Sequence, residues 1–239
     1  VKLAFLSDIH GNSIALKAVL HDIQKLNVDK IMVLGDLCYR GIQPKESLEL
    51  VKGLDAEVIK GNADEWIVRG VLEGEVPVDA LDMMNTEREW GVSKLTQNDI
   101  EYLRSLPTEL RLEFSGTRIH AFHATPNDLF DVVQPFESDQ TLREKLVKSD
   151  SDIYIYAHIH KAFVRYINGK CFINTGSVGL PFDGLGKASY ALVELGEDEF
   201  EVSIRRVNYN IEDVLNQLRN SDYPNKTLLN SLLKRSSNG

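Results

Sequence analysis

Short apolar runs closed by polar clusters punctuate this chain. Residues 1–6 read as a strand, and the Asp8-Ile9-His10-Gly11-Asn12 turn leads into an amphipathic helix over 13–26, with Leu16, Val19, Leu20 and Ile23 as its inward stripe. Residues 30–34 form a second compact apolar strand that delivers Gly35-Asp36. A helix over 46–54 and a strand over 56–59 follow, the strand ending before Gly61-Asn62. This order of strand, polar turn and helix predicts layered α/β organisation in the first quarter.

Residues 74–105 break the rhythm with an acidic, mixed segment. It predicts a partly helical cap or insertion, with short helices including one over 97–103, on a single domain spanning 1–239. Strands over 109–114 and 118–122, joined by Ser115-Gly116-Thr117, read as an antiparallel pair whose exit points at His123. A helix over 141–147 precedes a strand over 153–156, which leads to Ala157-His158-Ile159-His160. Strands over 163–167 and 171–173 bracket an Asn168-Gly169 turn, and strands over 188–195 and 200–207 continue this half. The last stretch, 211–233, is helical with a polar break near Tyr223-Pro224. The predicted fold class is α/β, with a two-sheet β-sandwich core flanked by helices, which accounts for these parts better than a purely parallel sheet.

Composition narrows the function classes. The 239 residues, 43% hydrophobic, suffice for one substantial core. Twenty-seven Lys and Arg against thirty-six Asp and Glu give a net charge of -9, which argues against sequence-specific nucleic-acid binding on a broad basic face and supplies no attraction to a membrane. No apolar run approaches membrane-spanning length. A local anion site stays open, because two divalent ions would add about +4 in a pocket. Cys38 and Cys171 stand far apart with no ligand pair beside them and read as buried thiols in a reducing compartment. The first segment is too short for an export signal, so a cytoplasmic location is expected. Nothing in the pattern sets a homo-oligomeric state.

The polar clusters carry the candidate chemistry. Asp8 and His10, two residues apart, can project to one side and hold one ion. His158 and His160 repeat that spacing and could each approach a different ion. The two oxygens of Asp36 suit it to bridge both, while Asn62 offers an amide oxygen and His123 a nitrogen. Mixed N/O donors favour Mn or Fe, with Zn, Co or Ni also compatible, over an all-oxygen Mg or Ca site. Each cluster taken alone has a structural reading as well. Asp8-Ile9-His10-Gly11 could cap the first helix, Gly35-Asp36 and Gly61-Asn62 could be turns, His123 a core imidazole, and the His158/His160 pair a solvent-facing strand. His21 and His120 fall outside the constellation.

The ordered set of Asp-x-His, Gly-Asp, Gly-Asn, a later His and a His-x-His pair resembles the calcineurin-like metallophosphoesterase superfamily, in particular its small bacterial and archaeal phosphodiesterase-like branch. The resemblance spans residues 8 to 179, including the glycine-rich run Asn174-Thr175-Gly176-Ser177-Val178-Gly179. It implies Asp8, His10, Asp36 and His160 around one ion, and Asp36, Asn62, His123 and His158 around a second. It further implies phosphoester hydrolysis by a metal-bridging water or hydroxide, with Asp36, Asn62 and His123 in catalysis.

Departures from the pattern bear on the substrate. Many relatives carry His after Gly-Asn, whereas this chain has Ala63 and then Asp64, leaving no clear donor for the leaving oxygen. Asp64 is a candidate substrate contact, a support for a metal-bound His, or a helix cap. Asn12 reads as a cap or a substrate neighbour, and Arg40 as a phosphate fork or a surface ion pair. Phe182, where relatives often place Arg, hints at a more apolar rim. Trp66 and Trp90 could stack on a base or simply pack. The partner expected is a phosphate-containing small molecule or nucleotide, with phosphodiesters narrowly ahead. Dinucleoside polyphosphates, phosphomonoesters and phosphoproteins are the enzymatic alternatives, and a metal-stabilised interaction or scaffold protein is the non-enzymatic one.

Overall fold

The computed structural model describes residues 1–114, 116–197 and 199–235, so Ser115 of the expected Ser-Gly-Thr connection lies outside it. Two five-stranded mixed sheets lie between helices. The first has the order β10 (Phe200–Val207), β9 (Ala188–Leu195), β1 (Lys2–Leu6), β2 (Lys30–Val33), β3 (Ala56–Val58), in which β1, β2 and β3 run parallel. The second has the order β4 (Glu109–Phe114), β5 (Thr117–Phe122), β6 (Ile153–Tyr156), β8 (Lys170–Asn174), β7 (Phe163–Ile167), in which β5, β6 and β8 run parallel.

Side-chain alternation separates the layers. Leu3 and Phe5 point between the sheets, where they join Met32, Ile119, Ile153, Ile155, Ile173 and Val193 in one buried cluster. Ala4 and Leu6 point the other way, toward α1 (Ser13–Lys25), α2 (Pro44–Lys52) and α3 (Asn62–Arg69). On the far side of the second sheet, Phe122, Tyr154, Tyr156 and Phe172 pack with Leu142 and Leu146 of α6 (Asp139–Leu146). Strands buried on both faces read as continuous apolar runs, as residues 153–156 do.

Helix ends differ from the sequence expectation for local reasons. The second helix begins at Pro44, where a missing N–H costs nothing in the first turn, and Gly53 follows its last residue. α6 begins at Asp139 because the Ser138 hydroxyl accepts the Thr141 N–H at 3.1 Å. Gly61-Asn62, which in sequence reads as a turn or a cap, opens the helix α3, with Gly61 at its N-cap. Residues 74–105 hold one 16-residue helix, α4 (Val78–Ser93), instead of several short ones, followed by α5 (Gln97–Ser105). Met84, Ile100 and Leu103 from this segment join the same apolar cluster as Leu16 and Val19. The final stretch splits at the expected break into α7 (Ile211–Asn220) and α8 (Lys226–Arg235). Among the described residues, no helix is long and apolar enough to cross a membrane.

Candidate metal centre

The parallel strands bring the polar clusters to one rim. Asp8 and His10 follow β1, Asp36 follows β2, Asn62 follows β3, His123 follows β5, and His158 and His160 follow β6. These are the carboxyl ends of strands that run parallel within each sheet, where open α/β layers leave a crevice. The chain then turns sharply. Of the eight non-glycine residues with positive φ among those described, six are Asp8, His10, Asp36, Arg40, His158 and His160. Left-handed backbone is uncommon outside glycine and concentrates at functional sites. Asp8 and His10 therefore reach one side through successive left-handed turns, while Ile9 between them is buried in the core.

The loops hold one another through backbone bonds. Asp8, His10 and Gly11 donate to the carbonyls of Gly35, Asp36 and Leu37 at 2.9–3.0 Å, extending the β1–β2 ladder past the strands. The glycine-rich segment clasps the same loop: Val178 and Gly179 donate to Ser7 and Asp8 carbonyls at 3.0 and 2.9 Å, and the Ser177 hydroxyl donates to the Asp8 carbonyl at 2.7 Å. A Cβ at Gly179 would lie 1.8 Å from the Ile9 carbonyl oxygen, and one at Gly61 would lie 2.1 Å from Asp36 Oδ1. Both glycines are steric requirements of the rim.

Two ligand clusters result. Asp8, His10, Asp36 and His160 each place one donor atom within 4.8 Å of the others, as do Asp36, His123 and His158. Asp36 belongs to both, with Oδ2 at 3.6 Å from His10 Nε2 and 3.5 Å from His123 Nε2. Asn62 Oδ1 lies 2.9 Å from His123 Nε2 and 2.8 Å from His158 Nδ1, which adds an amide oxygen to the second cluster. Backbone carbonyls fix the imidazoles. His10, His123 and His160 hold Nδ1 against the carbonyls of Tyr39, Leu34 and Leu180 at 2.8, 2.6 and 2.5 Å, so each turns Nε2 inward. His158 presents Nδ1 instead.

Two observations show that this donor set fits a cation. Asp8 Oδ1 is buried and, among the described residues, faces only the imidazole nitrogens of His160 and His10, at 3.1 and 3.9 Å, whereas Oδ2 accepts from the Ser7 hydroxyl at 2.6 Å. His10 Nε2 and His160 Nε2 face each other at 3.1 Å, where two lone pairs repel unless a cation or proton lies between them. Without metal, the histidines divide. Burial, reinforced by the neighbouring His160, lowers His10 to about 4, and burial with His123 nearby lowers His158 to about 4. Burial also pulls on His123 and His160, but Asp36 outweighs it and raises His123 to about 9, while Asp8 raises His160. Burial opposes ionisation of Asp36, yet the facing histidines hold its carboxyl well below the usual range.

The other expected site residues take varied positions. The Asn12 amide oxygen caps α1 by accepting from Ala15 N–H at 3.0 Å, and its nitrogen donates to the Gly179 carbonyl at 3.0 Å, so both ends serve the backbone. Asp64 does not line the cleft: it is fully buried and accepts from the backbone N–H groups of Asp36, Leu37 and Gly61 at 2.7, 2.9 and 2.9 Å. Burial, then the charge of Asp36, raises it to about 7. Its place is thus a brace for the Asp36 loop, and the sequence signal for this was its position three residues after Gly61. His21 is exposed on α1, and His120 sits away from the rim between Glu109 and Ser149 at 2.7 and 3.0 Å. Cys38 and Cys171 are both buried and free.

Above the clusters lies a cleft of about 170 Å³, with His10, Asp36, Asn62, His158 and His160 along its floor. Tyr39, Arg40, Ala63, Trp66, Leu180 and Phe182 form its walls. Phe182 stacks on His160 with ring centroids 4.5 Å apart and remains 41% exposed. Trp66 borders the cleft with its indole N–H bonded to Glu75 at 3.0 Å, whereas Trp90 packs edge-on against Tyr223, 5.0 Å between centroids. Ala63 carries no proton donor in its side chain, and its N–H donates to Asp36 Oδ1 at 2.8 Å.

The sequence matches the model of the calcineurin-like phosphoesterase superfamily domain over residues 1–198, and the chain belongs to that superfamily. It is 30% identical over 243 residues to an uncharacterized protein of Methanocaldococcus jannaschii, covering 93% of each chain. Among solved structures, a metallophosphoesterase from Sphaerobacter thermophilus shares 25% identity over 99% of both chains, with a TM-score of 0.77. A hypothetical protein from Pyrococcus horikoshii shares the fold with a TM-score of 0.80 at 22% identity, covering 100% of this chain and 98% of that one. Superfamily membership and the buried Asp/His clusters together support a metal-dependent phosphoesterase.

Proposed function

We propose that this protein hydrolyses phosphoesters at a centre of two divalent ions, Mn or Fe by preference. Asp8, His10, Asp36 and His160 would hold one ion, and Asp36, Asn62, His123 and His158 the other. The observation that carries this reading is the single Asp36 oxygen lying between the donor nitrogens of His10 and His123 at 3.6 and 3.5 Å. Such a pair of ions supplies the activation of the attacking water and neutralises charge on the phosphate.

The chain's own residues do the remaining work. Asp36 balances positive charge at the centre of the site, and its orientation is held by the Ala63 N–H and by Asp64 bonded to its backbone. Carbonyl contacts to three imidazoles keep Nε2 unprotonated and aimed inward when metal is bound. Arg40 on the cleft wall offers a guanidinium to a phosphate oxygen.

The substrate reading favours phosphodiesters narrowly. Ala63 leaves the leaving oxygen without a side-chain acid at that position, which suits leaving groups that depart easily. Phe182 and Trp66 give the wall apolar faces that suit an aryl or nucleoside portion better than a bare phosphate. Parallel initial rates of Mn-loaded protein on diesters, monoesters and dinucleoside polyphosphates test the order. Higher kcat/KM on diesters is expected, and consistently higher values on monoesters would reverse it. A metal-loaded protein inactive across the whole panel, yet binding a macromolecular partner, would favour the scaffold alternative.

A further inference from the structure

One buried ion pair links the cleft wall to the helix α4. Arg40 has φ 60 and a side chain 22% exposed, and its Nε and Nη2 donate to Glu87 Oε2 at 3.1 and 2.9 Å. The Tyr39 hydroxyl bonds the same oxygen at 3.3 Å and the Met84 carbonyl at 3.1 Å. The Glu87 side chain is fully buried, and its Oε1 has no hydrogen-bond partner. Tyr223, between α7 and α8, is buried beside it, and its phenol is pushed up by burial and then by the Glu87 charge.

This arrangement is costly unless it serves a purpose. A carboxylate taken fully out of water loses its hydration, and only Arg40 balances its charge at ion-pair distance among the described residues. What the pair provides is a fixed guanidinium. An arginine side chain carries several rotatable bonds, whereas a guanidinium held by one edge keeps its other edge pre-aimed. Glu87 occupies the Nε/Nη2 edge, Nη1 makes no hydrogen bond to protein among the described residues, and the side chain lines the cleft above the ligand clusters. Glu87 stands 47 residues away in sequence and touches neither ligand cluster; its other contact with the cleft wall is the Tyr39 hydroxyl, whose residue also holds His10 through its carbonyl, so the bound-metal level separates the two routes.

We infer that Glu87 is a positioning residue, which clamps Arg40 through one edge so that the other edge receives a phosphate oxygen of the substrate. The inference rests on the phosphoesterase reading for the identity of the ligand, and on the ion-pair geometry for the mechanism. It makes α4, from the segment absent from every metal-ligand motif, a determinant of phosphate affinity.

The experiment is a double-mutant cycle on the Mn-loaded 239-residue chain, read by calorimetric binding of inorganic phosphate and by KM and kcat on a diester. Arg40→Ala should weaken phosphate about 10- to 100-fold, the range for a lost hydrogen bond to a charged group, and Glu87→Gln about tenfold. Because Glu87 acts through Arg40, the double variant should bind no more weakly than Arg40→Ala alone. KM should rise more than kcat falls, and bound Mn should stay at the wild-type level. Glu87→Asp keeps the charge and gives an intermediate affinity; it runs the same cycle if Glu87→Gln does not fold. Wild-type phosphate affinity in Glu87→Gln, or an equal loss in the Arg40→Ala background, overturns the inference. A cycle that closes as expected in a protein that cleaves no ester would remove the proposed activity and leave the clamp standing.

Discussion

The two ligand clusters share Asp36 and differ in almost everything else. The first is rich in charge and closed: Asp8 and Asp36 face His10 and His160, all four are buried, and both imidazoles are pinned by carbonyls. The second is lean and open: apart from the shared carboxylate it has the neutral Asn62, one pinned imidazole and His158, which is only partly buried and turns Nδ1 inward. Charge and fixation both raise affinity for a hard or borderline cation. A tight site beside a weaker one is the expected consequence, and both border the cleft.

Removing the shared residue breaks the comparison altogether. Asp36→Asn keeps the size and one coordinating oxygen but deletes the charge common to both clusters. Activity should fall by more than about 100-fold, beyond the 10- to 100-fold typical of a lost outer partner, and metal analysis should find the pair depleted. An Asp36→Asn protein that retains two ions and near-normal turnover would sink the bridged centre. An anomalous-scattering map of the wild-type protein gives the matching positive result: two peaks, both contacting Asp36.

Selective variants sharpen the contrast. Asn62→Ala should lower affinity for one ion by about 10- to 100-fold and leave the other bound, whereas Asp8→Asn should deplete the tighter site. Titration of metal into each apoprotein distinguishes them, and identical loss of both ions in Asn62→Ala would show that the clusters are not separable.

Acidity reads the same asymmetry on a smaller scale. His123, raised to about 9, keeps its proton in the metal-free protein at neutral pH, while His10 and His158, lowered to about 4, carry none; His160 is raised as well. The second cluster must therefore shed the His123 proton to bind metal, and its affinity should climb by up to about tenfold per pH unit below pH 9. The metal-free protein moves oppositely. The stability gained from protonated His123 is complete below its unfolded pKa near 6.5 and is lost as pH rises toward about 9. Calorimetry in buffers of different ionisation enthalpy should detect the released protons; binding without proton release would contradict this assignment. The smallest effect belongs to His21→Ala: exposed on α1, it should leave both ions and turnover unchanged in the same assays.

What the sequence determined on its own was the rim. Apolar runs of four to six residues ending in Asp, Asn or His set strands and ligands together, because a strand end and the turn after it are encoded by neighbouring residues. The residues named there for metal are the ones the structure gathers into two clusters joined by Asp36 and supplemented by the Asn62 amide. Residues that hold the ligands were less legible. Asp64 reads as a cap, a support or a substrate contact until its donors from the Asp36 loop are seen, since a carboxylate's partners across 27 and 28 residues leave no local trace. The long α4 lacks a clear apolar stripe and was expected as short pieces, because its buried face, Met84, Glu87 and Gly91 at helical spacing, is not uniformly apolar. Only the tertiary structure decided which nitrogen each histidine turns inward, where Asp64 points, and that Glu87 meets Arg40, since each depends on a partner distant in the chain and on the close packing that leaves it no other place.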